Sequence, residues 1–244
     1  MKLIEARDYE HMSELAANYL VDKVQTNPAM VLGLATGGTP LGTYQQLIMD
    51  HEQNGTTYKQ VTTYNLDEYV GFSSDHPNSY HAFMYENLFG KVDIPASNIH
   101  LPNGVALDLV EECKEYEAKI EASGGIDVQL LGMGSNGHIG FNEPGTSFQA
   151  TTQIVELAQS TREANARFFS DIREVPHQAI TMGIATIMKS KEILLLVSGE
   201  SKNEAMKKLV KSEVDESFPA SVLNKHSHVT IIADKKALSG VTMR

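Results

Sequence analysis

Five short apolar runs constrain this chain more than any other feature: AMVLGLA (29–35), QVTTYNL (60–66), DVQLLGM (127–133), EILLLVS (192–198) and HVTIIAD (228–234). A strand with one wet face alternates apolar and polar residues, because successive side chains point to opposite sides. These runs are close to continuously hydrophobic, which predicts strands covered on both faces, as in a parallel sheet. Between them lie segments of helical character: YEHMSELAANYLVDKVQ (9–25), PLGTYQQLIMDHEQ (40–53), DLVEECKEYEAKIEA (108–122) and SKNEAMKKLVKS (201–212). Strand and helix alternating in this way predict an α/β fold, with a single doubly wound, mostly parallel, Rossmann-like sheet flanked by helices. No internal repeat, low-complexity tract or Pro/Gly/Ser linker divides the 244 residues, so residues 1–244 read as one domain with a sizeable core.

Composition narrows the function classes. A formal net charge of −11 argues against a nucleic-acid partner. An anionic ligand must then be met locally, by a few basic side chains and backbone N–H groups. The one cysteine, Cys113, allows no internal disulfide and fits a reducing cytosol. It falls in a helical stretch with no histidine motif nearby and reads as inert. The N-terminal segment lacks the apolar region of a signal peptide, and the longest aliphatic run, ILLLV, is far short of the ~20 residues needed to span a bilayer. The expectation is a soluble, cytoplasmic protein without a membrane partner. His226 and His228 have no third ligand near them, and no H-E-x-x-H occurs, so no metal and no cofactor are assigned.

In doubly wound sheets, ligands bind beyond the carboxyl ends of the strands, and four of these ends carry unusual polar residues. In LGLATGGTPLGTY, the turn Thr36-Gly37-Gly38-Thr39 leads into a helix, with Thr39 suited to the N-cap and Pro40 to the first helical position. Paired glycines and a helix N-terminus suit an anion such as a phosphate; the alternative is a tight turn with no ligand. In YNLDEYVG, Asp67 and Glu68 close a strand. Adjacent strand residues face opposite ways, so one carboxylate enters the cleft and can act as a base toward a carbon-bound proton. A solvated acidic turn or an N-cap is the alternative reading.

The third end, GMGSNGHIGFNEPG (132–145), spells G-x-G-x-x-G, the letters of a dinucleotide turn. No helical periodicity follows it, so the context that motif requires is missing. His138 and Glu143 instead share one glycine-rich loop, and a His–carboxylate pair fixes an imidazole for proton transfer. A packed or solvated loop histidine is the alternative. At the fourth end, LVSGESKNEA, Lys202 opens a helix, where a cation opposes the helix dipole. Arg167, in STREANARFF, is a second candidate cation; either could be a surface charge. This inventory suits proton shuttling on a small phosphorylated substrate, such as isomerisation next to a carbonyl.

The segments LGLATGGTPLGTY, NLDEYVG, HPNSYH, GHIGFNEP, TREANARFF and AITMGIATI together resemble the glucosamine-6-phosphate deaminase family, also called glucosamine-6-phosphate isomerases, over essentially the whole chain. The resemblance implies conversion of glucosamine 6-phosphate and water to fructose 6-phosphate and ammonia, with no cofactor. It implies that His138, assisted by Glu143, opens the pyranose ring, and that Asp67 takes the proton from carbon 2. It carries the phosphate site onto Thr36, Gly37, Gly38 and Thr39, with charge from Arg167 and Lys202. The alternatives on the same scaffold are a 6-phosphogluconolactonase-type hydrolase and a non-catalytic sugar-phosphate sensor.

Two departures from the family pattern matter. Some members have Asp where this chain has Asn136, which can orient neighbours but cannot share a proton. Allosterically activated hexameric members carry basic residues where this chain has Gln153 and Val155. The expectation is a monomer or small homo-oligomer without an anionic-activator site.

Overall fold

All five apolar runs form strands, and they are the five central strands of a seven-stranded sheet. The structure is a computed structural model and describes residues 1–166, 169–211 and 213–241. Its elements run β1 (Lys2–Ala6), α1 (Tyr9–Thr26), β2 (Val31–Leu34), α2 (Leu41–Asn54), β3 (Thr62–Asn65), β4 (Asp67–Tyr69), α3 (Tyr80–Asn87), β5 (Ile99–His100), α4 (Leu109–Ala122), β6 (Val128–Gly132), β7 (Gln153–Glu156), α5 (Gln159–Asn165), β8 (Gln178–Thr181), α6 (Ile184–Met188), β9 (Glu192–Val197), α7 (Asn203–Lys211) and β10 (Val229–Asp234). The large sheet has the order β1-β10-β9-β6-β2-β3-β5, and every pairing in it is parallel.

The continuous hydrophobicity of the runs follows from burial on both faces. Leu131, Leu195 and Ile231 belong to one core cluster, together with Tyr116 and Ile120 of α4, Ile184 and Ile187 of α6, and Met206 and Leu209 of α7. Their strand neighbours Leu130, Leu194 and Ile232 belong to a second cluster with Met12 and Leu20 of α1, Tyr44 and Leu47 of α2, and Met84 of α3. Helices therefore cover both faces, which leaves no solvent-facing positions for polar residues in the central strands. Cys113 is buried in α4. Burial, and then the carboxylates of Glu112 and Glu117, push its thiol up to about 11, so it carries no nucleophilic character.

The strand order also fixes where a ligand can enter. From β2 the chain builds outward through β3 to β5, and from β6 it builds the other way through β9 to β10. The adjacent strands β2 and β6 thus send their following loops in opposite directions and open a crevice at their carboxyl ends.

A second sheet, β4-β8-β7, is antiparallel and stands beside that crevice. It adds to the one sheet expected from the apolar runs. Asp67 does not end the apolar strand but begins β4, one residue beyond Leu66, whose carbonyl accepts the N–H of Met182 at 2.6 Å. Another difference is the start of α2, which begins at Leu41 with Pro40 in the cap position and no side-chain cap. Thr39 lies in the preceding turn. Among the described residues no helix is long and apolar enough to cross a membrane.

Candidate functional site

A cleft of about 400 Å³ opens at the carboxyl ends of β2, β3, β6 and β9. Its walls bring together residues from all four polar strand ends: Thr36, Gly37, Gly38 and Thr39 after β2, Asp67 after β3, Asn136 and His138 after β6, and Lys202 after β9. Glu143 stands behind His138 rather than in the wall. Arg167 lies outside the described residues.

The Thr36–Thr39 turn is shaped for close approach. Gly37 has φ +90°, a conformation open to glycine, and nothing lies within 4 Å of where a side chain would start. The turn is braced from α1: the Tyr9 hydroxyl donates to the Gly38 carbonyl and accepts the Gly42 N–H, each at 2.9 Å. Pro40 has no N–H and Gly42's is taken by Tyr9, so the turn itself supplies most of the donors available to an anion.

Asp67 and Glu68 do face opposite ways. Asp67 lines the cleft, while Glu68 accepts the backbone N–H groups of Tyr69, Tyr80 and His81, each at 2.9 Å. Glu68 thereby fastens the start of α3 to β4 and holds Tyr80 in the cleft wall. Burial raises the Asp67 carboxyl to about 8, and the Glu68 carboxylate next to it adds to the shift. Burial likewise raises Glu68 to about 7, against the three N–H groups that stabilise its charge.

The G-x-G-x-x-G letters serve the imidazole. A methyl on Gly134 would stand 2.3 Å from the His138 ring, and Gly137 has φ +86° with the Phe218 ring 2.1 Å from any added carbon. The loop is then pinned from the small sheet: Thr181 Oγ1 accepts the Phe141 N–H at 3.1 Å, and Asn142 Nδ2 donates to the Met182 and Ile139 carbonyls, both at 2.9 Å. Gly140 brings the loop beside Asp67, whose Oδ2 lies 3.7 Å from an added carbon there.

Behind His138, the Glu143 carboxylate collects donors. Asn136 Nδ2 donates to Oε2 at 2.7 Å, and the Thr161 hydroxyl donates to Oε1. Asn136 Oδ1 also accepts the His138 N–H at 3.2 Å, so this amide ties the two residues together. Burial opposes the charge on Glu143, but the His138 imidazole, the Thr161 hydroxyl and the Asn136 amide outweigh it and hold the carboxyl down at about 2. Thr161 and Asn165, one turn apart on α5, both line the cleft. Sequence reasoning missed Thr161, Thr181 and Tyr80, which reach the site by tertiary pairing; only the quoted HPNSYH, TREANARFF and AITMG segments pointed toward them.

The family model for glucosamine-6-phosphate isomerases and 6-phosphogluconolactonases matches residues 6–232. A glucosamine-6-phosphate deaminase of Geobacillus sp. (strain WCH70) is 60% identical over 239 residues, covering 98% of this chain and 95% of that protein. Glucosamine-6-phosphate deaminase 1 of Bacillus subtilis (strain 168) is 52% identical over 239 residues, 98% of this chain and 99% of the relative. Among solved structures, a monomeric glucosamine-6-phosphate deaminase superposes with a TM-score of 0.96 at 52% identity, covering 98% of this chain and 99% of that one. The 6-phosphogluconolactonase of Trypanosoma brucei superposes at 0.80 with 17% identity over 99% and 98% of the two chains, which is a likeness of fold alone.

Proposed function

The chain belongs to the family of glucosamine-6-phosphate isomerases and 6-phosphogluconolactonases, and we infer that it converts glucosamine 6-phosphate and water to fructose 6-phosphate and ammonia. The reading rests on one observation: Asp67 and His138 line the same cleft as the Thr36–Thr39 turn and Lys202. An acid–base pair and an anion site in one pocket suit a phosphorylated sugar whose reacting carbons lie at the opposite end from its phosphate. Relatives at 52–60% identity, all deaminases, support this reaction over the lactonase chemistry of the distant fold neighbours.

The steps assigned to the residues are these. Thr36, Gly37, Gly38 and Thr39 hold the phosphate through backbone N–H and hydroxyl groups, with charge from Lys202 and Arg167. His138 moves the anomeric hydroxyl proton to the ring oxygen, which opens the pyranose to the aldehyde. Glu143 assists without taking a proton: with its carboxyl at about 2, it stays ionised and stabilises the imidazolium as it forms. Asn136 orients both groups.

Asp67 then takes the proton from carbon 2, leaving an enolamine. Reprotonation at carbon 1 gives the ketose imine, and water displaces ammonia from carbon 2. Before substrate binds, the Asp67 carboxyl, raised to about 8 by burial, is largely protonated at neutral pH. The substrate's ammonium group beside it favours the carboxylate, so binding itself generates the base.

The chain works as one α/β unit in the cytoplasm, as a monomer or small homo-oligomer. The uncharged Gln153 and Val155 in β7 support the absence of an anionic-activator site. A sigmoidal rate curve made hyperbolic by N-acetylglucosamine 6-phosphate would overturn that. The function is tested by incubating purified protein with glucosamine 6-phosphate and measuring ammonia and fructose 6-phosphate together. Equal amounts are expected. Acid from 6-phosphogluconolactone with no ammonia from the amino sugar would assign the hydrolase instead, and binding without turnover would assign the sensor.

A further inference from the structure

Asp234 is a buried carboxylate that no step above uses. It is the last residue of β10 and is 3% exposed. Its neighbour Ala233 pairs with Val197 of β9, so Asp234 stands level with Ser198, where the chain leaves β9 toward the cleft. Three donors fill its oxygens: the Ser198 hydroxyl at 2.6 Å, the Gly199 N–H at 3.0 Å and the Ala237 N–H at 2.8 Å. Gly199 has φ +93° and ψ 156°, a conformation reserved for glycine, from which its N–H reaches this carboxylate. The chain then makes one tight turn, Glu200–Lys202, closed by the Lys202 N–H on the Gly199 carbonyl at 3.1 Å, and Lys202 lines the cleft. Beyond the turn, Asn203 Nδ2 donates to the carbonyls of Ala237 and Ser239 at 3.0 and 2.6 Å. The end of β10 and the segment after it therefore grip the Lys202 turn at both ends.

We propose that Asp234 is a positioning residue for the substrate's phosphate, fixing the Gly199 turn that carries Lys202 into the cleft; this rests on the reading of Lys202 as a phosphate-binding cation. A carboxylate near an anion site acts against binding by charge alone, but here its oxygens are occupied by three donors. Its effect is therefore geometric. The Gly199 N–H contacts both oxygens of Asp234, at 3.0 and 3.2 Å, and the Ala237 N–H contacts one. Asp234→Asn keeps the shape of the side chain but leaves a single acceptor oxygen: either Gly199 loses the shorter of its two contacts or Ala237 loses its contact, and the turn loosens. Lys202 then samples positions off the phosphate. The loss falls on an interaction made equally in the ground and transition states, so it raises KM and spares kcat.

The test compares Asp234→Asn, Lys202→Ala and the unmodified protein in steady-state assays with glucosamine 6-phosphate, using inorganic phosphate as a competitive inhibitor. For Asp234→Asn, KM and the inhibition constant for phosphate should rise together by about tenfold, equivalent to ~1.4 kcal/mol. The rate constant kcat should change by less than about threefold, and inhibition by glucosamine without a phosphate should be unaltered. If Lys202→Ala weakens phosphate inhibition while Asp234→Asn leaves it unchanged, the role of Asp234 is overturned. If Lys202→Ala itself leaves phosphate inhibition unchanged, the phosphate reading of the turn fails instead. A fall in kcat as large as the rise in KM would mark Asp234 as merely structural and also overturn the proposal. Should Asp234→Asn not fold, Ser198→Ala removes one of the same contacts: a rise in the phosphate inhibition constant on the order of threefold is expected, and no rise would contradict the proposal.

Discussion

The Nδ1 atom of His138 stands 3.7 Å from Oε1 of Glu143, within ion-pair range but beyond a hydrogen bond, and it has no hydrogen-bond partner among the described residues. The same Oε1 already accepts the Thr161 hydroxyl, and Oε2 accepts the Asn136 amide. Glu143 is thus held ionised by the imidazole beside it, at ion-pair distance, and by two neutral donors. A neutral amide at position 136 suits this arrangement: it stabilises the carboxylate without bringing in a second negative charge.

Asn136→Asp should disturb that balance in a pH-dependent way. Two carboxylates at a 2.7 Å contact cannot both ionise without cost, so the pair retains a proton at low pH and the imidazole loses part of its anionic partner. Relative to the unmodified protein, kcat/KM is expected to drop by roughly tenfold near pH 6, with the deficit shrinking toward pH 8.5 as both groups ionise. A deficit that is constant across pH would reject this electrostatic account of Asn136.

The raised carboxyl of Asp67 sets a second pH dependence. If Asp67 is the base in the free enzyme, kcat/KM falls on the acid side with a midpoint near its value of about 8. The midpoint in kcat lies lower, because bound substrate brings an ammonium group to the carboxylate. Measuring both profiles from pH 5 to 9.5 checks the order of the two midpoints.

Burial of Asp67 also carries a stability consequence. Its folded value, about 8, lies above the ordinary carboxyl value of 3.8, so the folded protein holds this proton more tightly than the unfolded chain. Its contribution is fully favourable below about pH 4 and is lost as pH rises through 8. Asp67→Asn removes that loss. The variant should match the unmodified protein near pH 4 and exceed it at pH 8.5 by a few kcal/mol, or roughly 5 °C or more in Tm. Equal melting temperatures at pH 8.5 would mean that the carboxylate is well solvated.

Gly134→Ala tests whether the glycines serve the imidazole. The new methyl would stand 2.3 Å from the His138 ring, which must swing away. Activity is expected to fall by at least ~10²-fold, as for a displaced acid–base group, with far-UV circular dichroism unchanged. Gly137→Ala, strained by φ +86° and by the Phe218 ring, should instead lower stability first.

Much of this was legible in the sequence, and the reason is physical. Leu194, Leu195 and Leu196 are all buried because helices cover both faces of β9, and a strand covered on both faces has to read as continuous hydrophobicity. The edge strands β1 and β5 leave no such trace: in β1 only Ala6 is fully buried, and β5 is two residues long. The strand character of Asp67–Tyr69 was hidden because its partners, Ala179 to Thr181, lie more than a hundred residues along the chain. In the site, His138 and Glu143 were visible because one loop carries both. Thr161, which shares the same carboxylate, arrives from α5 and has no local signature.

The central claim, that Asp67 removes the proton from carbon 2 of an amino-sugar phosphate, is tested most directly with glucosamine 6-phosphate deuterated at that carbon. The measurement is the rate at which deuterium leaves carbon 2, followed by NMR for the unmodified protein and for Asp67→Asn. The account predicts steady loss with the unmodified protein and a rate at least ~10²-fold lower in the variant, as expected on removal of a general base, while phosphate still competes for the cleft of both. Loss at the unmodified rate in Asp67→Asn, or ammonia released with deuterium still on carbon 2, would contradict it.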